Sequence, residues 1–194
     1  MRRKLTVCAS LLLVLAAARF AQAEEIEIGA EGPDFSAVGT DGETYTLESF
    51  EDSDVVVVCF TCNYCPVAVA YEDRFIEFTE EYADKKVSFL AINCNNETEG
   101  LAEMQKRAEE KGFNFVYAFD ESGDAAREYG ARVTPHLFIL DKDRNVAYRG
   151  AFDDKQKGPT EHYVANAVDA LLAGKTPEVA STKAVGCGIK LKKD

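Results

Sequence analysis

The sequence has 194 residues, with 22 basic and 34 acidic side chains, which gives a formal net charge of −12 at pH 7. A chain this acidic, with no basic patch before its lysine-rich C-terminal end, is poorly suited to binding polyanions. We therefore expect no nucleic acid among its partners.

The N-terminal segment has the three parts of a secretory signal peptide. Residues 2–4 are basic, residues 5–18 are apolar, and an Ala-Gln-Ala sequence ends at Ala23. The apolar part is short for a membrane span, so an uncleaved N-terminal anchor is the less favoured alternative. We predict that residues 1–23 are removed and that the protein is periplasmic or secreted, with no stable membrane anchor. Removing 23 of 194 residues leaves 171, which suits one domain.

The pattern of apolar residues predicts alternating strands and helices. Residues 55–60 (VVVVCF) are continuously apolar and mostly β-branched, as in a central strand that is buried on both faces. Residues 66–86 repeat apolar side chains at helical spacing. The predicted strands are residues 44–47, 55–60, 87–92, 115–119, 136–140 and 146–149, and the predicted helices are residues 66–86, 101–111, 123–129 and 160–173. This order predicts an α/β fold with a mixed central β-sheet flanked by helices.

The cysteines carry the most informative pattern in the chain. Five remain after the predicted cleavage: Cys59, Cys62, Cys65, Cys94 and Cys187. Cys62 and Cys65 follow the buried strand, where the chain turns into a helix that Pro66 is suited to begin. Cys65 then lies at the helix N-terminus, where unpaired N–H groups and the helix dipole favour the thiolate. A second sulfur three residues away can capture a mixed disulfide, so we predict a redox pair presented to solvent.

Other uses of these sulfurs fit the sequence less well. A structural zinc site needs a second pair of ligands, and the remaining candidates are scattered single residues. A structural disulfide across so short a loop stabilises little. Cys59 lies inside the predicted strand and is interpreted as a buried, inert thiol. Cys94 follows the next strand and is assigned to the core, although a place near the site is the alternative.

Several segments, in this order and spacing, resemble the thioredoxin-like superfamily, in particular exported redoxins of the alkyl hydroperoxide reductase/thiol-specific antioxidant, or peroxiredoxin-like, type. They include residues 32–35 (GPDF), 60–66 (FTCNYCP), 133–135 (VTP) and 186–190 (GCGIK). The resemblance implies a thioredoxin-like domain over residues 24–175, followed by a C-terminal tail, 176–194, that carries Cys187. It also implies a cis peptide bond before Pro135.

The same resemblance names the expected site residues. Cys62 and Cys65 would be catalytic, and Thr134, Pro135 and Tyr64 would bind the substrate, with the Thr134 backbone pairing with an extended segment. Either cysteine can be aligned with the attacking thiol of thioredoxins. Pro66 favours the alignment that makes Cys65 the more activated sulfur, but which one attacks first stays open.

Three functions remain under consideration. The first is an exported thiol–disulfide oxidoreductase that uses no cofactor, acts on protein thiols or disulfides, draws on an external thiol reductant and serves redox homeostasis. The second is an antioxidant thiol peroxidase, in which a peroxide oxidises Cys65 and either Cys62 or Cys187 resolves the product. The third is a Cu(I)-binding chaperone with Cys62, Cys65 and His136 as ligands, although no metal site is favoured.

Cys187 has two interpretations of comparable weight. The tail from residue 178, apart from Cys187, is expected to be less ordered. Cys187 lies between two glycines, a flexible context from which it can reach the active site as a further resolving sulfur. The alternative is a solvent-facing thiol with no part in the reaction.

Overall fold

A computed structural model describes residues 24–192. The predicted signal peptide, residues 1–23, lies outside the described residues. Within the described range no helix is long and apolar enough to cross a bilayer.

Most of the described strands form one mixed β-sheet. They are β1 (Ala37–Gly39), β2 (Thr44–Tyr45), β3 (Val55–Thr61), β4 (Val87–Asn93), β5 (Val116–Phe119), β6 (Val133–Thr134), β7 (His136–Leu140), β8 (Val146–Gly150) and β9 (Cys187–Gly188). The larger sheet has the order β2-β1-β5-β4-β3-β7-β8, and β6 pairs separately with β9. β3, β4 and β5 are parallel, whereas the other neighbours in the sheet are antiparallel. The predicted α/β fold with a mixed central sheet is confirmed.

The helices cover both faces of this sheet. They are α1 (Pro66–Val69), α2 (Glu72–Tyr82), α3 (Leu101–Lys111), α4 (Asp124–Tyr129) and α5 (Tyr163–Leu172), with a short 3-10 helix at Leu47–Phe50. Along β3 the odd-numbered valines pack into the core on the side of α2 and α5, and the even-numbered ones pack on the side of α4. Every residue of β3 is buried, as its continuous apolar run predicts. The carboxyl end of this central strand therefore leads directly to Cys62.

The helix predicted over residues 66–86 is divided in two. The amide of Tyr71 donates to the Ala68 carbonyl at 2.9 Å, a bond three residues back, which tightens the chain and ends α1 after one turn. The Tyr71 ring then packs on Phe75, and its hydroxyl donates to Asp153 at 3.0 Å. The contact with Asp153 is a tertiary one, and it lies at a break that the periodicity of the sequence does not indicate. The helix that follows Cys65 is therefore only four residues long.

The tail is attached to the domain, contrary to the expectation that it is less ordered. The hydroxyls of Thr182 and Tyr148 lie 2.6 Å apart, and the Thr182 amide donates to the Arg149 carbonyl at 3.0 Å. Further along, the backbone N–H groups of Lys190 and Lys192 donate to the side chains of two asparagines in the β4–α3 loop. The segment between these anchors crosses the end of the sheet at which Cys62 and Cys65 lie.

Candidate active site

Cys62 and Cys65 lie in the turn between β3 and α1. Cys62 follows the last residue of β3, and Cys65 is the N-cap of α1 with Pro66 as the first helical residue. Both side chains are buried, with 5% and 3% of their surface exposed. The expectation that the two sulfurs face solvent is wrong, because Val67 and Cys187 pack over them.

Both sulfurs contact Thr134, which precedes Pro135. The Cys62 Sγ lies 3.2 Å from the Thr134 hydroxyl, and the Cys65 Sγ donates to the Thr134 carbonyl at 3.1 Å. The peptide bond between Thr134 and Pro135 is cis, as the family resemblance implies. The segment predicted to bind substrate and the two predicted catalytic sulfurs therefore form one site.

Cys187 completes this group of sulfurs. Strand β9 pairs antiparallel with β6, which places Cys187 opposite Thr134. Cys187 packs against the cluster formed by Cys62, Cys65 and Ala68. The structure places Cys187 next to the two catalytic candidates, and its role as a resolving sulfur stays a prediction. All five described cysteines are free thiols.

The surroundings of Cys65 favour its thiolate. Burial raises the pKa of this thiol, but hydrogen bonds from the Cys187 side chain, from the Ala68 backbone N–H and from the Thr134 hydroxyl outweigh it, so the pKa is lowered overall. The hydrogen bond to Cys65 also raises the pKa of Cys187. Because α1 is a single turn, these individual hydrogen bonds, rather than the dipole of a long helix, activate Cys65.

Cys62 has the opposite environment. Burial raises its pKa to about 11; a hydrogen bond with Thr134 lowers it and the charge of Glu99 raises it. Cys62 is therefore a protonated thiol at neutral pH, while Cys65 is the more readily ionised one. This contrast supports the alignment in which Cys65 is the nucleophile.

The other two cysteines belong to the core. Cys59 is fully buried in β3, and burial raises its pKa strongly. Cys94 is 2% exposed, and burial followed by the charge of Asp120 raises its pKa well above the ordinary value. Both remain protonated, which agrees with their interpretation as inert thiols.

A buried polar network beneath the turn was not predicted from the sequence. The Glu99 carboxylate accepts hydrogen bonds from the Asn63 backbone N–H at 2.8 Å and from the Asn93 side chain at 2.7 Å. The Tyr117 hydroxyl donates to the Asn63 side chain at 2.8 Å. This network, residues Asn63, Asn93, Glu99 and Tyr117, fixes the residue that follows Cys62. The available sequence signal was the position of Asn93 at the carboxyl end of a parallel strand, where sites gather in α/β sheets.

Tyr64 and His136 are the remaining predicted site residues. Tyr64, between the two cysteines, is 66% exposed, and its role in substrate binding stays a prediction. His136 is buried against Phe138, with ring centroids 4.5 Å apart, and neither ring nitrogen has a hydrogen-bond partner. In residues 24–192 no group of three His, Cys, Asp or Glu side chains is arranged to hold a metal ion. Cys62, Cys65 and His136 therefore do not form such a group, and the structure lends no support to the Cu(I) alternative.

A cavity of about 420 Å³ lies beside Pro135. Its apolar lining includes Val67, Tyr71 and Phe152, and the tail residue Val185 lies along one side. Asp154, Lys155 and Lys183 also line it, so both signs of charge are present there. The cavity extends the surface next to the cysteines that a bound partner can contact.

Comparison with known proteins places this site in a family. A family model described as Redoxin matches residues 27–171. The thiol-disulfide oxidoreductase ResA of Bacillus thuringiensis subsp. konkukian (strain 97-27) is 26% identical over 144 residues, which cover 73% of this chain and 80% of that protein. The ResA of Bacillus cereus (strain ATCC 10987 / NRS 248) is 26% identical over 129 residues, covering 66% of this chain and 71% of that protein.

Two solved structures cover nearly the whole domain. A hypothetical protein, SMc02350, from Sinorhizobium meliloti 1021 is 31% identical, with a TM-score of 0.82 over 88% of this chain and 98% of that one. An uncharacterized conserved protein from Geobacillus kaustophilus is 32% identical, with a TM-score of 0.81 over 87% of this chain and 94% of that one. Together with the sequence matches, these likenesses confirm the predicted thioredoxin-like fold and the predicted place among the oxidoreductases.

Proposed function

Because the chain belongs to the Redoxin family, we propose that it is an exported thiol–disulfide oxidoreductase in which Cys65 attacks and Cys62 resolves. The observation that carries this proposal is the difference in pKa between two neighbouring thiols that contact the same threonine. Cys65 has a lowered pKa and Cys62 a raised one, and both contact Thr134. The ResA relatives support the reaction class, and the signal-peptide pattern of residues 1–23 supports export.

The reaction has two exchange steps. In the first, the Cys65 thiolate attacks one sulfur of a substrate disulfide, forms a mixed disulfide and releases the other substrate sulfur as a thiolate. In the second, Cys62 attacks the Cys65 sulfur, which forms the Cys62–Cys65 disulfide and releases the remaining substrate sulfur. The proton of Cys62 passes to that departing thiolate. The substrate disulfide gains two electrons, the cysteine pair loses two, and an external thiol reductant restores the pair.

The assignment of substrate contacts follows from the same geometry. Thr134 and Pro135 adjoin both sulfurs, and exposed Tyr64 lies in the turn between them. A protein segment that carries the disulfide would contact these residues, and its neighbours would reach the cavity beside Pro135. Cys187, packed against Cys65, is the second candidate for the resolving sulfur.

Trapping the mixed disulfide tests this proposal. The purified protein is incubated with a disulfide-bonded protein substrate, and the products are separated without reductant. Cys62→Ser should accumulate a mixed disulfide through Cys65, Cys65→Ser should form none, and Cys59→Ala, which alters a core thiol, should behave as the parent. Peptide mapping then shows whether Cys62 or Cys187 pairs with Cys65 in the oxidised parent. Disulfide exchange that persists in Cys65→Ser would refute the assignment.

A thiol peroxidase is the second candidate, and the packing of Cys187 against Cys65 favours it. A peroxide would transfer one oxygen to the Cys65 thiolate, which gives a sulfenic acid and an alcohol or water. Cys187 would then condense with the sulfenic acid, forming a disulfide and releasing water. Consumption of hydrogen peroxide that is lost in Cys65→Ser, together with slow exchange with protein disulfides, would favour this reaction over the first.

A further inference from the structure

The backbone edge beside the active-site sulfurs is already occupied by part of this chain. In the β6–β9 pair Thr134 lies opposite Cys187, and Val133 lies opposite Gly188. The pairing continues where the Ile189 N–H donates to the Arg132 carbonyl at 3.0 Å. The tail thus takes the place in which an extended substrate segment would pair with Thr134.

The position of the Cys187 sulfur adds to the similarity between the tail and a bound substrate segment. Cys187 packs against Cys65, the sulfur with the lowered pKa. A substrate strand that replaced β9 in the same register would place its own cysteine against Cys65. That is the location required for attack on a substrate disulfide.

We propose that β9 is an internal mimic of the substrate, and that the substrate is an extended segment whose disulfide-bonded cysteine follows a glycine. The substrate segment can pair with β6 only after the tail has left that strand. The inference rests on the proposed function and adds the class of segment that this site accepts. The tail is held at both of its ends, by Thr182 on one side and by Lys190 and Lys192 on the other, so its departure is a local release between anchors.

The requirement for glycine comes from the closeness of the two backbones. A Cβ atom at position 186 would lie 2.0 Å from the Thr134 carbonyl oxygen. Because this oxygen belongs to the backbone, no change of side-chain rotamer can relieve the clash. At Gly188 the nearest atom to such a Cβ would be the Arg132 oxygen, at 3.9 Å, which is an ordinary contact. The residue before the cysteine is therefore restricted to glycine, whereas the residue after it is not.

This difference supplies a matched pair of variants. Gly186→Ala should push the tail away from Thr134, and Gly188→Ala should leave it paired. Both are made with Cys62→Ser and Cys187→Ser, so that Cys65 is the reactive sulfur and its mixed disulfide persists. Hydrogen exchange at the Ile189 amide, which donates to Arg132, reports whether the tail remains in place.

The probe is a peptide with the sequence of residues 183–190, its cysteine carried as a mixed disulfide with 5-thio-2-nitrobenzoate. Attack by the Cys65 thiolate on the peptide sulfur forms a protein–peptide disulfide and releases the coloured thiolate, which is measured by absorbance. If the site is open only a few per cent of the time, releasing the tail should raise the rate on the order of 10-fold or more. We expect this increase in Gly186→Ala and the parent rate in Gly188→Ala.

A second peptide, with alanine in the place that corresponds to Gly186, tests the specificity. It should react at least several times more slowly than the glycine peptide in every variant. Rates with a small aromatic disulfide are measured in parallel, so that a change in the reactivity of Cys65 itself is divided out. A chain shortened to end at residue 184 replaces Gly186→Ala if hydrogen exchange shows that the tail stays docked in that variant.

Two results would overturn the inference while leaving the proposed function intact. One is an unchanged peptide rate in a variant whose tail is shown to be released. The other is an equal rate for the glycine and alanine peptides. By contrast, no reaction of Cys65 with either the peptides or the small disulfide would refute the proposed function itself.

Discussion

The carboxylate of Glu99 accepts a hydrogen bond of 2.8 Å from the backbone N–H of Asn63, the residue directly after Cys62. Glu99 is 8% exposed, so its charge acts in a poorly screened environment. The same carboxylate raises the pKa of Cys62, after the larger effect of burial. One side chain thus fixes the geometry of the turn and disfavours ionisation of one of its two sulfurs.

Glu99→Gln should make Cys62 more acidic. The amide oxygen of glutamine can still accept from Asn63, so the turn is retained while the negative charge is lost. The pKa of Cys62 should fall below its value of about 11, and alkylation of Cys62 at pH 8 should become severalfold faster, since one pKa unit corresponds to about a tenfold change in thiolate. The pH profile is measured in a Cys65→Ser, Cys187→Ala background. Glu97→Gln, an exposed acid in the same loop, is the control, and an unchanged profile in Glu99→Gln would contradict the prediction.

Removing the Cys187 thiol should make Cys65 less acidic. In Cys187→Ala the hydrogen bond that lowers the pKa of Cys65 is absent, so the thiolate fraction at neutral pH falls. Alkylation of Cys65, followed between pH 5 and 9, should shift its midpoint to higher pH. Cys94→Ala removes a buried thiol in contact with Asp120 and should leave the midpoint unchanged. A shift to lower pH in Cys187→Ala would show that burial by the tail dominates over the hydrogen bond.

His136 should make the fold less stable in acid. Burial, followed by the charges of Arg149 and Arg132, lowers its pKa to about 4, against 6.5 in the unfolded chain. Between pH 6.5 and 4 the unfolded state binds the proton more readily, so the free energy of unfolding falls as the pH falls through this window. In the parent this decrease in the free energy of unfolding should be about 3 kcal/mol over that range, and in His136→Leu it should be absent. Denaturant titrations at several pH values measure the difference, with exposed His162→Asn as the control, and parallel curves for His136→Leu and the parent would refute it.

Asp153 should be among the polar residues that contribute most to stability. It is 2% exposed, accepts the Tyr71 hydroxyl at 3.0 Å and forms an ion pair with Arg74, whose guanidinium also stacks on the Tyr71 ring. Asp153→Ala leaves both donors without their acceptor and should lower the free energy of unfolding by about 2–4 kcal/mol. Chemical denaturation of this variant is compared with that of Asp52→Asn, an exposed acid. A loss below about 1 kcal/mol would mean that solvent replaces these contacts.

The elements that were predicted well are those specified by local patterns. The strand predicted at residues 55–60 is observed as Val55–Thr61, and the helix predicted at residues 101–111 is observed as Leu101–Lys111, followed by Gly112 in the left-handed conformation. Continuous burial and a glycine C-cap are both readable from neighbouring residues. The N-cap position of Cys65 was predictable for the same reason, because Pro66 marks the first turn.

The elements that were missed depend on distant partners. β9 has two residues and exists because β6 lies opposite it, so no periodicity within residues 178–192 indicates it. Glu99 lies in an acidic loop sequence (NNETEG) that resembles an exposed turn, and its burial follows from contacts with Asn63 and Asn93. The break at Tyr71 likewise lies where its side chain contacts Phe152 and Asp153, which are far along the chain. Local propensity does not include these contacts.

The attachment of β9 to the same chain as the site that it covers has a consequence for selectivity. A tethered strand acts at an effective concentration of about millimolar, however dilute the protein is. A free cysteine-containing segment at micromolar levels competes poorly against it, even with identical backbone pairing. A productive partner must therefore gain additional binding energy elsewhere, and the cavity bordered by Val67, Phe152 and Val185 is adjacent to the place where its chain would enter. Selection among oxidised proteins would then depend on the residues that flank the disulfide as well as on the disulfide.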